Sequence, residues 1–321
     1  MRRLLLTLLL GALAAAQTQQ PPQPQPPQQG DPTFRVDVRL VDVFTTVTDA
    51  NGAPITDLKR DDFSLTEDGV PQKIALFEQQ SESPLSIVLA IDASQSVGKD
   101  IKTLTSAARK FAASILRPQD RLALYQFSEI VRELVPFTAD MRRINRGIGN
   151  VRVGSGTALY DAIYLGGQTL ARREGRKVLV VITDGGDTMS SVDYHEAVRA
   201  AQQSDALVYS IIDVPITASA GRNTGGEHAL IQLSKDTGGK HYYADTEADL
   251  NAVFAQISKE LRTQYLLGYY PVRRLASSDY RRIEVKVQPS TAATPGGNGE
   301  GEGPRTLRVR HRSGYFTSKL E

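Results

Sequence analysis

Three separated segments of the chain carry oxygen-bearing side chains that could together hold a small divalent cation. Asp92, Ser94 and Ser96 alternate along the first segment, Thr157 lies in the second, and Asp184 lies in the third. They supply two carboxylates and three hydroxyls, which are the hard oxygen ligands that Mg²⁺ prefers. We therefore predict a metal site formed by these residues, with Mg²⁺ as the first choice and Mn²⁺ or Ca²⁺ as alternatives.

Each carboxylate follows an apolar segment that has the character of a buried strand. Ser86 to Ile91 precedes Asp92, and Val178 to Thr183 precedes Asp184. Nearly continuous Val, Ile and Leu residues indicate burial on both faces, which is typical of a parallel sheet covered by helices. Ligands of such sheets bind at the carboxyl ends of the strands, so the two aspartates are expected at the same edge.

The region from 83 to 262 alternates such strands with amphipathic helices. Further strands are predicted at Leu122 to Phe127, Val131 to Pro136, Leu207 to Ile212 and His241 to Tyr243. Helices are predicted at Ile101 to Leu116, Leu159 to Arg172, Tyr194 to Gln203, Glu227 to Thr237 and Ala248 to Leu261. This alternation predicts the α/β class, with a doubly wound, mainly parallel sheet flanked by helices.

Both flanking segments contain short alternating strands and turns. In residues 34–82, a brief strand at Phe63 and Leu65 is followed by a turn and a return strand from Lys73 to Phe77. Residues 263–321 contain further strand signals at Tyr265 to Tyr270, Ile283 to Val287, and Leu307 to Phe316. Because the N-terminal strands are too few to be stable alone, we predict that the two segments form one smaller β-sandwich.

The N-terminus has the features of a secretory signal. Arg2 and Arg3 precede an apolar run that ends in Ala14-Ala15-Ala16, an A-x-A cleavage pattern. We predict residues 1–16 as a signal peptide and residues 17–33, which are rich in Gln and Pro, as a solvated linker. The alternative, a membrane anchor, would need about 20 apolar residues. We therefore expect a periplasmic or secreted protein without a transmembrane segment after cleavage.

Composition narrows the possible functions. Hydrophobic residues make up 40% and charged residues 23% of the 321 residues, which is typical of an ordered globular protein. The net charge of +2 gives no electrostatic signature for binding nucleic acid or an anionic membrane. The absence of cysteine excludes disulfides, thiolate metal sites and cysteine nucleophiles. The four histidines are scattered along the chain, so a zinc site has little support.

The three oxygen-bearing segments together resemble the metal-ion-dependent adhesion site of von Willebrand factor type A (VWFA) domains. The resemblance rests on Asp92-x-Ser94-x-Ser96, on Thr157 with its flanking glycines, and on Asp184 within a Thr-Asp-Gly triplet, and it extends over residues 83–262. It implies direct ligation by Ser94 and Ser96 and, in the ligand-bound state, by Thr157, with Asp92 and Asp184 often acting through water. It also implies that a protein partner completes the coordination with an Asp or Glu carboxylate.

The flanking segments resemble, more narrowly, the VWFA-related family first named from acidobacteria. The motifs are Asp61-Asp62-Phe63 with Glu67-Asp68-Gly69, Leu267-Gly268-Tyr269-Tyr270-Pro271 with Arg282 to Val285, and Gly314-Tyr315-Phe316. This narrower resemblance concerns architecture more than function.

We expect a non-enzymatic, adhesion-type module, and the sequence leaves its oligomeric state open. One alternative is a structural scaffold of the cell envelope with an idle metal site. Another is a metal-dependent hydrolase, which would need a general base beside the metal, and the motif loops offer no evident base. A third is that Asp92, Ser94 and Ser96 only cap the helix that begins near Lys99.

Three other aspartates lie close to the motifs or at a strand end. Asp161 could orient Thr157, accept a bound water, or place a favourable charge in the first turn of its helix. Asp187 is predicted as a loop or cap residue, and Asp213 as a polar strand end.

Overall fold

The computed structural model describes residues 40–79, 82–98, 100–184, 186–213, 224–273, 280–288 and 306–317. The strands are β1 (Val41–Thr48), β2 (Phe63–Glu67), β3 (Val70–Gln72), β4 (Ile74–Glu78), β5 (Leu85–Asp92), β6 (Arg121–Phe127), β7 (Val131–Thr138), β8 (Arg176–Thr183), β9 (Leu207–Ile212), β10 (Lys240–Tyr243), β11 (Tyr265–Tyr269), β12 (Tyr280–Val287), β13 (Arg308–Arg310) and β14 (Gly314–Phe316). The helices are α1 (Ile101–Ile115), α2 (Met141–Gly149), α3 (Leu159–Ala171), α4 (Tyr194–Gln203), α5 (Thr224–Thr237) and α6 (Glu247–Thr263). The predicted signal peptide and linker lie outside the described residues.

A six-stranded sheet with the order β10-β9-β8-β5-β6-β7 forms the centre of the fold. The strand pairs are parallel except at one edge, where β7 runs antiparallel to β6. Every residue of β5 and β8 is buried, as expected for strands covered on both faces. In the register of this sheet Ile91 lies beside Ile182, so the loops that follow β5 and β8 leave the same edge.

Helices cover both faces of the central sheet. Helices α1, α2 and α6 share one buried apolar cluster with one set of strand side chains, and α3, α4 and α5 share a second cluster with the opposite set. Along β5, Leu89 and Ile91 belong to the first cluster, whereas Val88 and Ala90 belong to the second. This alternation is the period-2 pattern of a strand, and it confirms the predicted doubly wound, mainly parallel α/β sheet.

Helix α2 was absent from the sequence prediction. Its sequence is mostly polar, and its buried residues are Ile144, Gly147 and Ile148. Two isoleucines four positions apart are a weak helical signal in a nine-residue segment. The helix begins at Asp140, whose carboxylate accepts hydrogen bonds from two backbone N–H groups of the first turn. An N-terminal cap of this kind stabilises the helix, and tertiary packing of the isoleucines supplies the rest.

Two four-stranded sheets, with the orders β13-β1-β11-β4 and β14-β12-β2-β3, form the predicted β-sandwich. Both sheets contribute to one apolar core that includes Val43 and Leu267 from the first sheet and Leu65 and Val285 from the second. Strands from the two ends of the chain pair directly, since β1 pairs with β11 and β2 pairs with β12. The sandwich therefore needs both flanking segments, as the sequence predicted.

Two details of the sandwich differ from the sequence prediction. The return strand after β2 is Val70–Gln72, whereas Ile74–Glu78 crosses to the other sheet and pairs with β11. The last segment likewise divides, because Arg308–Arg310 pairs with β1 and Gly314–Phe316 pairs with β12. Local alternation identifies a strand but does not identify its partner, and in both cases the partner lies far away in the sequence.

The sandwich contacts the amino edge of the central sheet. Gln264 precedes β11 and donates a 3.0 Å hydrogen bond to the Thr46 hydroxyl, while its amide oxygen accepts a 2.5 Å bond from Arg176 at the start of β8. All three residues are buried. This contact leaves the carboxyl edge, where the predicted metal residues lie, at the other end of β8. Among the helices in the described ranges, none has the length and apolar character needed to cross a membrane.

Candidate metal centre at the carboxyl edge

Asp92 is the most buried of the predicted metal residues. It ends β5 and is fully buried. One carboxylate oxygen accepts a 2.8 Å hydrogen bond from the Ser94 backbone N–H, and the other accepts a 2.7 Å bond from the Thr183 hydroxyl. Since Thr183 ends β8, Asp92 joins the first and third motif segments directly.

The two serines of the first segment lie side by side. Their hydroxyl oxygens are 2.9 Å apart, with Ser94 buried and Ser96 exposed. Helix α1 begins after Asp100, and the side chain of that residue makes no capping hydrogen bond. The hydrogen bonds of Asp92 and Ser94 stay within the loop or go to Thr183. Helix capping is therefore not their role in this structure.

The segment that contains Thr157 is bonded to both of the other segments. The Gly154 backbone N–H donates a 2.7 Å hydrogen bond to the Ala93 carbonyl oxygen in the first segment. The Thr157 N–H donates to the Thr188 hydroxyl at 3.0 Å, and the Thr157 carbonyl accepts from the N–H groups of Thr188 and Met189. The three segments that the sequence placed far apart thus form one interlocked group of loops.

Asp184 follows β8 and is partly exposed. Its carboxylate accepts a 3.4 Å hydrogen bond from the Gly186 N–H. Burial raises the pKa of the Asp92 carboxyl to about 6, and the negative charge of Asp184 raises it as well. The hydrogen bonds from Ser94 and Thr183 act in the opposite direction and lower the pKa. Asp92 and Asp184 are therefore neighbours that repel each other when both are ionised.

The donor set fits a hard divalent cation. In the described part of the chain, neither Asp92 nor Asp184 forms a salt bridge with a basic side chain. A buried carboxylate beside a second one needs a compensating positive charge, which a dication supplies. No cluster of three or more His, Cys, Asp or Glu side chains that could hold a metal occurs among the described residues. The hydroxyl oxygens of Ser94, Ser96 and Thr157, together with backbone carbonyls or water, are the further oxygen ligands that an ion bound here could use.

A family model for the von Willebrand factor type A domain matches residues 86–257, which is more than half of the chain. The chain belongs to the von Willebrand factor type A domain family. The matched range begins in β5 and ends in α6, so it covers the central sheet and its helices and leaves out the sandwich strands.

Solved structures provide three comparisons with this type A domain. The conserved hypothetical protein BatB from Bacteroides thetaiotaomicron is 19% identical with a TM-score of 0.45, covering 56% of this chain and 100% of that chain. The von Willebrand factor domain of a type V pili tip protein from Porphyromonas gingivalis is 14% identical with a TM-score of 0.46, covering 55% and 94%. A von Willebrand factor type A protein from Catenulispora acidiphila is 12% identical with a TM-score of 0.49, covering 81% and 73%. No curated protein matches the sequence.

Two further aspartates hold the third loop of the type A domain against α3. The Asp161 carboxylate accepts hydrogen bonds from the N–H groups of Ser191 and Val192 at 2.9 and 3.0 Å. The Asp187 carboxylate accepts from the Tyr160 N–H in the first turn of α3 at 3.2 Å. Asp187 is therefore a loop and cap residue, as predicted, and Asp161 fixes the loop that carries Thr188.

The sequence interpretation missed two threonines that build the site. Thr183 binds the carboxylate of Asp92, and Thr188 binds the backbone of Thr157. Thr183 stands beside Asp184 in the motif, so its position was a usable signal. Thr188 had no such signal, because its partner lies 31 residues away and is reached only through the fold.

Proposed function

We propose that this protein is an exported, non-enzymatic binding module that captures an acidic side chain of a protein partner through a divalent cation. Domains of this family are typically protein-interaction or adhesion modules. The cation would be held by Asp92, Ser94, Ser96, Thr157 and Asp184, with Mg²⁺, Mn²⁺ or Ca²⁺ as the candidate ions. The binding surface is the carboxyl edge of the central sheet.

The single observation that carries the proposal is the interlocking of three loops around a buried carboxylate. Hydrogen bonds join Asp92 to Thr183 and Gly154 to Ala93, so all three motif segments meet at one edge. When bound, the cation would supply a positive centre with a coordination position for an outside carboxylate. Asp92 and Asp184 would balance the charge of the cation, and the neutral hydroxyls of Ser94, Ser96 and Thr157 would be its remaining side-chain ligands.

The absence of catalysis is part of the proposal. A hydrolase would need a positioned general base that acts on water or substrate beside the metal. Three of the carboxylates near this edge are engaged in other contacts: Asp161 and Asp187 accept backbone hydrogen bonds, and Asp92 is buried and accepts from the Ser94 N–H. Turnover of an ester, peptide or phosphate substrate that stops on chelation would contradict this part of the proposal.

The metal site is tested by titration calorimetry of Mg²⁺ and Mn²⁺ into the mature protein. We expect binding to the parent protein and none to the Ser94→Ala, Ser96→Ala double variant. A matched control is the Ser114→Ala, Ser258→Ala double variant. Those two hydroxyls also form a close pair, 3.5 Å apart, but they join α1 to α6. Equal binding by the parent protein and the Ser94, Ser96 variant would contradict the metal site.

Partner capture is tested by immobilising the protein and exposing it to envelope extract with Mg²⁺ or with a chelator. We expect a partner that is retained only with Mg²⁺ and is lost with Asp92→Ala or Asp184→Ala, while circular dichroism remains native. Asp57→Ala, an exposed carboxylate outside the type A domain, serves as control. Retention that is unchanged in both site variants would favour a scaffold role. N-terminal sequencing of the mature protein, expected to begin near Gln17, tests export.

A further inference from the structure

Helices α1 and α2 form a positively charged face that the net charge of the chain does not reveal. Neither helix contains an acidic residue, and together they carry six basic ones: Lys102, Arg109, Lys110, Arg142, Arg143 and Arg146. The whole chain, in contrast, has 38 basic and 36 acidic residues. The two helices contribute buried residues to the same apolar cluster, so they are neighbours on one face of the central sheet. The excess of positive charge is therefore local.

Three arginines converge at the C-terminal end of α2. Arg146 lies one turn before Gly149, the last residue of the helix. The Arg152 guanidinium donates a 2.8 Å hydrogen bond to the Gly149 carbonyl oxygen, and a Cβ atom placed on Gly149 would lie 3.6 Å from Nη2 of Arg109. We call Arg109, Arg146 and Arg152 the arginine cluster.

The arginine cluster lacks acidic partners. Its three residues are exposed, and within the described ranges none of them forms a salt bridge. The C-terminal end of a helix carries only about half of one negative charge, which is too little to balance three guanidinium groups. The cluster is therefore a surface on which an anionic ligand would gain favourable interactions.

The arginine cluster adjoins the proposed metal residues. The Gln126 side chain donates a 2.8 Å hydrogen bond to the Arg152 carbonyl oxygen and accepts a 2.9 Å bond from the Arg152 N–H. In the sheet register, Gln126 lies beside the residue that precedes Asp92. Two residues after Arg152, the Gly154 N–H binds the Ala93 carbonyl oxygen. Because two residues of extended chain span at most about 7 Å, a peptide held at the metal residues can also reach the cluster.

We propose that the partner segment carries further Asp or Glu residues beside the one that reaches the cation, and that these bind to the arginine cluster. This inference rests on the proposed function, since it concerns the same partner and the same edge of the sheet. A guanidinium group can bind a carboxylate through two parallel hydrogen bonds. Successive residues of an extended peptide are about 3.3 Å apart, so acidic residues about two to five positions from the metal-bound one would lie over the cluster.

The composition of this face favours a polypeptide over a membrane surface. The exposed residues of α2 and of its C-cap are arginine, asparagine and glycine, without the large apolar side chains that insert into a membrane interface. The exposed apolar residue beside the cluster is Val153, which is 48% exposed. A Cβ atom placed on Gly98, in the loop after β5, would lie 3.2 Å from Val153. Val153 therefore lies between the cluster and the first motif segment, where a bound polypeptide would cover it.

The test compares two labelled synthetic peptides by fluorescence anisotropy with the mature protein in Mg²⁺. One peptide has a single Asp in a Gly-Ser background, and the other also has Glu residues on both sides of that Asp. We expect the acidic peptide to bind about tenfold more tightly, because an exposed charge pair contributes little alone but three act together. This difference should disappear in the Arg109→Gln, Arg146→Gln, Arg152→Gln triple variant, while circular dichroism remains native.

A matched control is the Arg60→Gln, Arg172→Gln, Arg199→Gln triple variant. It removes the same charge from three exposed arginines that lie before β2, at the end of α3 and on α4. The control variant should bind the acidic peptide as tightly as the parent protein does. An equal loss of affinity in both triple variants would show a general effect of net charge and would overturn the inference.

The remaining outcomes separate this inference from the function on which it rests. Equal binding of the two peptides, no binding of the acidic peptide, or unchanged binding in the cluster variant would overturn the inference without affecting the calorimetric test of the metal site. Loss of Mg²⁺ binding by the cluster variant would also overturn it, because the arginines would then act through the metal loops. Displacement of the acidic peptide by phosphatidylglycerol vesicles would assign the cluster to a membrane instead. Cluster-dependent binding that is the same in Mg²⁺ and in a chelator would overturn the proposed function and leave the cluster as a surface for acidic segments.

Discussion

Replacing Asp92 by Asn should stabilise the metal-free protein while abolishing metal binding. The pKa of Asp92 is raised from 3.8 to about 6, chiefly by burial. A carboxyl whose pKa is higher in the folded than in the unfolded state stabilises the fold when it is protonated. The contribution of Asp92 to the free energy of unfolding is therefore complete below pH 3.8 and is lost as the pH rises through about 6. The difference between the two pKa values corresponds to about 3 kcal/mol of destabilisation by the ionised carboxylate near neutral pH. Asn carries no charge and therefore lacks this destabilisation.

The hydrogen bonds of Asp92 can survive this substitution. The Asn carbonyl can accept from the Ser94 N–H, and the Thr183 hydroxyl can rotate so that it accepts from the amide group. We therefore expect the free energy of unfolding in a chelator to be higher for Asp92→Asn by about 1–3 kcal/mol near neutral pH. At about pH 5 the difference should fall to roughly half of that value.

Urea denaturation with and without Mg²⁺ measures both effects. In Mg²⁺ at about ten times its dissociation constant, the parent protein should gain about 1.4 kcal/mol, whereas Asp92→Asn should gain nothing. A variant that is no more stable than the parent protein in chelator near neutral pH would refute the electrostatic reasoning. The same conclusion would follow if the difference between the two proteins did not change with pH.

Three further predictions concern contacts elsewhere in the fold. Burial lowers the pKa of His311, and its neutral ring accepts a hydrogen bond from the Val285 N–H. Its contribution to stability is therefore present above about pH 6.5 and is lost as the pH falls. When the melting temperature is measured across a pH series, His311→Gln should show a smaller decrease at acid pH than the parent protein. Gly239→Ala would place a Cβ atom 1.9 Å from a backbone carbonyl oxygen of β9, and should lower the free energy of unfolding by about 2–3 kcal/mol in urea; a loss below about 0.5 kcal/mol would contradict this contact. Glu260→Gln would leave Arg310 without its buried counter-charge and should cost about 3 kcal/mol, whereas an unchanged urea midpoint would show that the ion pair is not needed.

Local patterns in the sequence were sufficient for the secondary structure of the type A domain. Continuous Val, Ile and Leu runs identified β5 and β8, and amphipathic spacing identified α1 and α4, because burial of a face imposes a period that neighbouring residues share. Helix α2 could not be predicted from the sequence because it buries few apolar residues. The strand predicted from Lys73 to Phe77 is present as β4, but it pairs with β11 and not with β2. Alternation carries no information about which sheet a strand joins.

The residue types of the proposed metal site follow from the sequence by itself. Asp92 ends β5, Ser94 and Ser96 lie in the loop after it, and Asp184 directly follows β8. A strand in a parallel sheet places such residues at its carboxyl edge. The environment of those residues was decided only by the tertiary structure. The register between β5 and β8 aligns Ile91 with Ile182 and brings Thr183 onto the carboxylate of Asp92. The raised pKa of Asp213 likewise comes from burial and from the charges of Asp100, Asp184 and Asp245, which lie in three separate loops. The physical reason is that hydrogen bonding, desolvation and Coulomb interactions act through space, whereas the patterns visible in a sequence reflect only neighbours along the chain.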